Sequence, residues 1–376
     1  MAGLYLHIPF CKQACYYCDF HFSTNTGQKQ ETIKAIAKEL QLQKPYLKGE
    51  SLQSIYFGGG TPSLLSAEEL NLLLDTIYKY FSVDTSVEIT LEANPDDLSP
   101  SNLKVFKSCG VNRLSIGIQS FNNYNLKFLN RAHSAEEALI SVENARRAGF
   151  DNLNLDLIYA IPATGQTVWE RDLETIQQLR PEHISSYCLT IENKTVFGNW
   201  LKKGKIQPID EERAASDFEL LIHHLKEDGY QQYEISNFCL PNKHSRHNSN
   251  YWKQEKYLGV GPSAHSFDGK NRQFNASNNV TYIKSLKQNK IPFELDILGP
   301  TERLNEYILT TLRTSWGCNL EKLKKDFQYD LLKDQKEYLN DLITGKMAFI
   351  DQENHLKLTD KGKLLADKIT LDLFIS

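Results

Sequence analysis

An α/β fold, with a parallel sheet covered by helices, is predicted for the first two-thirds of the chain, and three observations predict it. Short apolar runs alternate six times with amphipathic stretches, and glycines stand where those stretches should stop. Near residue 230 the rhythm breaks into a segment crowded with aromatic, Asn, His and Gly residues. The 376 residues allow about two to three domains.

Taken in order, strands are expected at residues 3–8, 54–57, 87–92, 113–118, 152–158 and 183–189. Helices are expected at 30–44, 67–81, 100–109, 135–148, 168–179 and 210–228. Ser66 and Ser99 can cap the second and third helices by accepting from free N–H groups, and Pro100 suits a first helical position. Gly110, Gly149 and Gly229 stand where the backbone turns left-handed after a helix. Periodicity alone leaves a doubly wound sheet and a barrel equally open.

Residues 231–295 are expected to be an irregular extension. Residues 296–376 form a last domain, with helices at 303–314, 320–327 and 335–343, strands at 348–351 and 355–358, and a helix starting near Asp360. That order is winged-helix-like. Lys and Glu are interleaved along it, so a packing or lid role is expected rather than nucleic-acid binding.

Composition narrows the partners. Hydrophobic residues make 40% and charged residues 24%, as in ordinary globular proteins, and a net charge of −4 favours neither nucleic acid nor an anionic membrane. No apolar run approaches the roughly 20 residues that span a bilayer. The start shows no basic-then-apolar leader. With seven cysteines, an odd number, and no disulfide pattern, a reducing, cytoplasmic location is expected. Cys109, Cys188, Cys239 and Cys318 are scattered and read as small buried residues.

Cys11, Cys15 and Cys18 form a C-x-x-x-C-x-x-C cluster. Iron–sulfur clusters usually take four cysteines, so three imply a 4Fe-4S cluster with one iron open to another ligand. A zinc site of the trio with His7 or His21 is the alternative, although structural zinc normally draws on a second, distant ligand pair.

The cysteine spacing, with Tyr-x-His-Ile-Pro-Phe-Cys at residues 5–11, resembles the radical S-adenosylmethionine superfamily. Within it, the string is similar to the branch that holds oxygen-independent coproporphyrinogen III oxidase and related heme chaperones. The resemblance implies an incomplete (β/α)6 radical SAM barrel over residues 1–230, carrying a C-terminal, mostly helical, winged-helix-like domain. It implies a 4Fe-4S cluster on Cys11, Cys15 and Cys18, with S-adenosyl-L-methionine at the open iron. Gly59, Gly60 and Thr61 match the family's GGGTP motif, which meets the methionine part of the cofactor. Tyr17 matches an aromatic near the adenine, and Tyr5 a tyrosine on the sulfonium side. Glu92, ending the third strand, can accept hydrogen bonds from ribose hydroxyls. Gln119, Arg131 and Asp156 match residues that contact a second S-adenosylmethionine in the oxidase.

Two departures separate the chain from the oxidase. Phe20 stands where the oxidase has a further cysteine, and only ten residues precede Cys11. The resemblance therefore favours the heme-chaperone side, without porphyrinogen decarboxylation. Residues 247–252 match the H-N-x-x-Y-W motif of that side, making His247 the expected heme ligand, since a neutral imidazole ligates heme iron well. A metal site of Cys239, His244 and His247 is the rival. The partners so implied are heme, heme-acceptor proteins, no nucleic acid, and peripheral contact with membrane heme proteins.

Overall fold

The computed structural model describes residues 2–375. Six parallel strands run in sequence order: β1 Ala2–Ile8, β2 Leu52–Gly59, β3 Val83–Ala93, β4 Arg113–Gln119, β5 Leu153–Tyr159 and β6 His183–Cys188. The helices between them are α1 Lys29–Leu42, α2 Ala67–Tyr80, α3 Pro100–Ser108, α4 Asn123–Phe128, α5 Ala135–Arg147 and α6 Gln166–Leu179. After β6 come α7 Val196–Lys202 and α8 Glu211–Glu227. Ser66 and Ser99 cap α2 and α3 as read from sequence, and Ser66 shares a reciprocal capping box with Glu69.

Each strand shows two faces, because successive side chains point opposite ways. Leu4, Leu6, Ile55, Phe57, Leu114, Ile116, Leu155 and Ile184 are all fully buried in the main hydrophobic cluster with residues of the surrounding helices. The alternate positions, among them Tyr56, Glu92, Arg113, Ser115, Asn154, Asp156 and Ser185, line a cavity. Full barrels fill their interior with branched aliphatics. This one keeps a polar lumen.

The barrel is incomplete. β6 pairs antiparallel with β8 Asn237–Cys239, which pairs with β7 Gln231–Glu234, while at the other edge β1 pairs in parallel with β9 Lys256–Val260. Beyond β9, the antiparallel strands β10 His265–Phe267, β11 Arg272–Asn275 and β12 Phe293–Asp296 complete a 12-stranded sheet. The chain therefore crosses from the β6 edge to the β1 edge between residues 239 and 256. That crossing is α9, Arg246–Trp252, and α10, Asn279–Lys287, then packs beside α1. The expectation of an irregular extension is corrected here. Its strands are three to five residues long, too short to leave a periodicity in the sequence.

The last domain has its own core, built around Leu304, Ile308, Leu323, Leu356 and Ile369. Its helices are α11 Pro300–Leu312, α12 Leu320–Phe327, α13 Leu331–Asp334, α14 Lys336–Thr344, α15 Asp360–Lys363 and α16 Ala366–Asp372. Strands β13 Cys318–Asn319, β14 Ala348–Ile350 and β15 His355–Leu358 form a small antiparallel sheet. Arg313 ties this domain to β7 by pairing with Glu234 at 3.1 Å, and pairs within its own domain with Asp367 at 2.6 Å. Among the described residues no helix is long and apolar enough to cross a membrane.

Glu39 of α1 anchors the extension. It is fully buried and accepts from Gly261 N–H and Asn275 Nδ2, each at 2.8 Å, and from the Tyr282 hydroxyl. Burial pushes its carboxyl from 4.5 up to about 7. The folded state thus holds the proton more tightly than the unfolded chain, and this stabilisation fades as pH rises through about 7. Glu39→Gln does not titrate, so urea unfolding should show the parent losing on the order of 3 kcal/mol relative to the variant between pH 4.5 and 8. Parallel pH profiles for the two proteins would contradict this account.

Candidate functional site

The cysteines lie on the loop that leaves β1, and backbone bonds hold that loop on both sides. Cys11 N–H donates to Ser23 O at 3.1 Å, Ser23 N–H to Pro9 O at 2.9 Å, and Tyr16 N–H to Leu129 O at 3.2 Å. The glycine turn after β2 presses on the same loop. Gly60 N–H reaches Ile8 O at 2.9 Å and Thr61 N–H reaches Phe10 O at 2.7 Å. A Cβ on Gly60 would stand 2.7 Å from both Phe10 N and Phe10 O, and one on Gly59 2.6 Å from the His7 ring. Here glycine is required by close approach of two backbones.

Cys11, Cys15 and Cys18 are half-buried and share the rim of one cavity of about 500 Å³. Burial, reinforced by the neighbouring thiols, pushes Cys18 up to about 12, and burial raises Cys11 against the pull of the Thr61 hydroxyl. Thiolates in such a place call for cationic partners. A bound metal supplies that charge and deprotonates coordinating thiols outright. Among the described residues no His, Cys, Asp and Glu side chains are grouped as one metal ion requires. A 4Fe-4S cluster asks for a different arrangement, one thiolate for each of three irons, and the donor set fits it. His7 is spoken for, its Nε2 at 2.8 Å from His21 O and its Nδ1 at 3.1 Å from the Tyr5 hydroxyl.

Below the thiols the wall is polar and mutually bonded. Arg131 Nη1 lies 3.3 Å from Cys15 Sγ, and its Nη2 donates to Asn94 Oδ1 at 2.7 Å and Gly117 O at 2.8 Å. Glu92 accepts from the Tyr56 hydroxyl at 2.8 Å and from Gly59 N–H at 3.1 Å, and burial pushes its carboxyl up to about 7. Asp156 accepts from Asn154 Nδ2 at 2.7 Å and Ser115 Oγ at 3.1 Å, and burial raises it to about 6. Gln119 closes β4 with a left-handed φ of 66°, a strained backbone of the kind that collects at ligand sites. Phe20 is 72% exposed at the mouth.

Tyr17, Gly59, Gly60, Thr61, Glu92, Gln119, Arg131 and Asp156 therefore share the cavity wall with the three thiols. Tyr5 stands apart from that wall, its ring stacked on Tyr56 at 6.1 Å. His247 belongs to the barrel floor. It sits in a helix, α9, where an irregular extension is expected from the sequence, and only 3% of it is exposed. Its ring stacks on Tyr56 at 4.8 Å, meets Tyr251 edge-on at 5.0 Å, and its Nδ1 is 2.9 Å from Ser54 Oγ. Its Nε2 has no hydrogen-bond partner, and the ring packs α9 against β2. Cys239 is likewise fully buried, in β8, away from any metal grouping.

The sequence reading missed Asn94, Arg113, Ser115, Asn154, Ser185 and Asn248, all on the cavity wall. The signal was present as polar residues at alternate positions of otherwise apolar strands, as in Asn154 and Asp156 between Leu153, Leu155 and Leu157.

Gly60→Ala is expected to destabilise the fold by about 1–3 kcal/mol, because the backbone it meets cannot step aside. Urea unfolding that matches the parent would mean that the turn and the cysteine loop are not packed as described.

The sequence profile of the Radical SAM superfamily matches residues 5–173. Over 366 residues the chain is 36% identical to the heme chaperone HemW of Lactococcus lactis, covering 97% of this chain and 95% of the relative. It is 34% identical to the heme chaperone HemW of Bacillus subtilis, covering 98% of each. Among solved structures it resembles coproporphyrinogen III oxidase (HemN) of Escherichia coli, with a TM-score of 0.84 at 22% identity over 99% of this chain and 90% of that one. That last likeness speaks for the fold.

Proposed function

Since the chain belongs to the HemW family of the radical SAM superfamily, we propose that it is a heme chaperone that binds heme and hands it to acceptor proteins. The observation that carries the reading is similarity to heme chaperones along nearly the whole of both chains. The exposed phenylalanine at position 20, in the oxidase's extra cysteine position, supports it.

In this reading Cys11, Cys15 and Cys18 would hold a 4Fe-4S cluster, with S-adenosyl-L-methionine as its further ligand. When bound, the pair supplies one-electron cleavage of the sulfonium C–S bond. The chain's own residues place and shield it. Gly59, Gly60 and Thr61 would present backbone to the methionine end, and Tyr17 would stand beside the adenine. Glu92 offers its remaining lone pairs to the ribose hydroxyls. Arg131 sets its positive charge beside the Cys15 sulfur, and Gln119 and Asp156 extend the polar wall beyond. Tyr5 acts from behind, through its stack on Tyr56.

Three experiments test this reading. Cys15→Ala should lose the brown cluster chromophore and most bound iron and sulfide, while keeping the far-UV circular dichroism of the parent. Full iron and sulfide content in that variant would refute the cluster assignment. In an anaerobic titration, the cluster-loaded protein should bind hemin saturably, seen as a shifted Soret band, and His247→Ala, which removes the ring nitrogen left without a partner, should bind it more weakly. The same protein, reduced and supplied with S-adenosyl-L-methionine and coproporphyrinogen III, should form no protoporphyrinogen IX. Product formation would turn the reading to the oxidase, and lack of saturable hemin binding would remove the chaperone.

A further inference from the structure

Arg113 opens β4 and points into the lumen from the floor, on the level of Thr90 across the strand pair. Only 1% of it is exposed, yet neither its Nε nor its Nη2 has a hydrogen-bond partner, and it forms no ion pair with any described residue. An unpaired buried charge costs several kcal/mol, so a guanidinium held in this way is unusual.

The groups around it are already committed. Glu92 serves Tyr56 and Gly59, and Asp156 serves Asn154 and Ser115. His183 lies between Asn154 Oδ1 at 2.6 Å and the Tyr233 hydroxyl at 2.7 Å, and burial keeps its imidazole neutral. His247 is neutral for the same reason. The cavity thus brings together the thiols, two engaged carboxylates that feel the Arg113 charge without touching it, and the Arg113 guanidinium with no direct partner at Nε or Nη2. Asn248 of α9 and Ser115 stand on the same cavity wall. A cavity of about 500 Å³ accepts a small organic molecule.

We propose that the barrel floor is a binding site for a carboxylate-bearing small molecule, held by the Arg113 guanidinium with Asn248 and Ser115 beside it. Guanidinium and carboxylate match as a planar, two-bond fork, which a lysine would not reproduce. The site shares its cavity with the thiols but uses none of the groups given to the cluster, and it stands whether or not the protein carries heme. A free acid and the propionate arm of a porphyrin share this chemistry, and the test tells them apart.

The test begins with thermal unfolding of the full chain at constant ionic strength, with propionate as probe and propionamide as its neutral twin. Propionate should raise the midpoint by about 2 °C at saturation, propionamide should not, and Arg113→Gln should abolish the difference. Equal effects of acid and amide, or a propionate shift surviving in Arg113→Gln, would overturn the proposal. Should Arg113→Gln fail to fold, a crystal of the parent soaked in p-bromobenzoate decides. An anomalous bromine peak in the lumen, with the carboxylate against Arg113, upholds the site, and a lumen without one refutes it. Hemin binding compared with hemin dimethyl ester then names the source. A loss with the ester points to a propionate arm, and equal binding points to a free acid.

Discussion

The site rests on one close approach of two backbones. The glycine turn after β2 lies so near the loop after β1 that Gly60 has no room for a side chain and donates its N–H to Ile8 O. Thr61 N–H bonds Phe10 O in the next register. These contacts set where Cys11 begins its loop and where Gly59 offers its N–H to Glu92. Shift either backbone and the thiols, the glycine turn and the carboxylate lose their common rim.

Around that point the barrel solves two problems with one alternation. Alternate strand residues face the helices and are mostly apolar, which supplies most of the burial that stabilises the domain. The residues between face the lumen and are polar. Burying so many polar groups costs free energy unless each finds a partner. The wall answers with paired acceptors and donors, Arg131 with Asn94 and Gly117, Asp156 with Ser115 and Asn154, His183 with Tyr233. Arg113, with neither Nε nor Nη2 partnered, stands out among the cations of that wall as a place for a ligand group.

The open edge of the barrel is managed by the segment after residue 230. Strands β8 and β9 cap the two edges of the six-stranded core, removing unpaired backbone from solvent. Between them α9 runs under the lumen, with Glu88 accepting from the backbone N–H of Arg246 at 3.0 Å and of His247 at 3.2 Å. His247 wedges it against β2, and Asn248 faces the cavity. The H-N-x-x-Y-W motif is thus part of the structure that closes the chamber whose rim carries the cysteines.

Sequence alone determined the parts whose signal is local. The C-x-x-x-C-x-x-C spacing, the glycine turn, the six strand–helix alternations and the caps at Ser66 and Ser99 are written in neighbouring residues, and they recur in the structure at nearly the same positions. Tertiary structure decided whatever depends on which strands lie beside which. Arg113 and Asn248 are 135 residues apart in the sequence yet share one cavity. His247 read as a ligand because its motif is local, but its burial comes from Ser54, Tyr56 and Tyr251, two of them nearly 200 residues away. The three- to five-residue strands of the extension are set by the barrel edges they pair with, since so short a run carries too little pattern of its own.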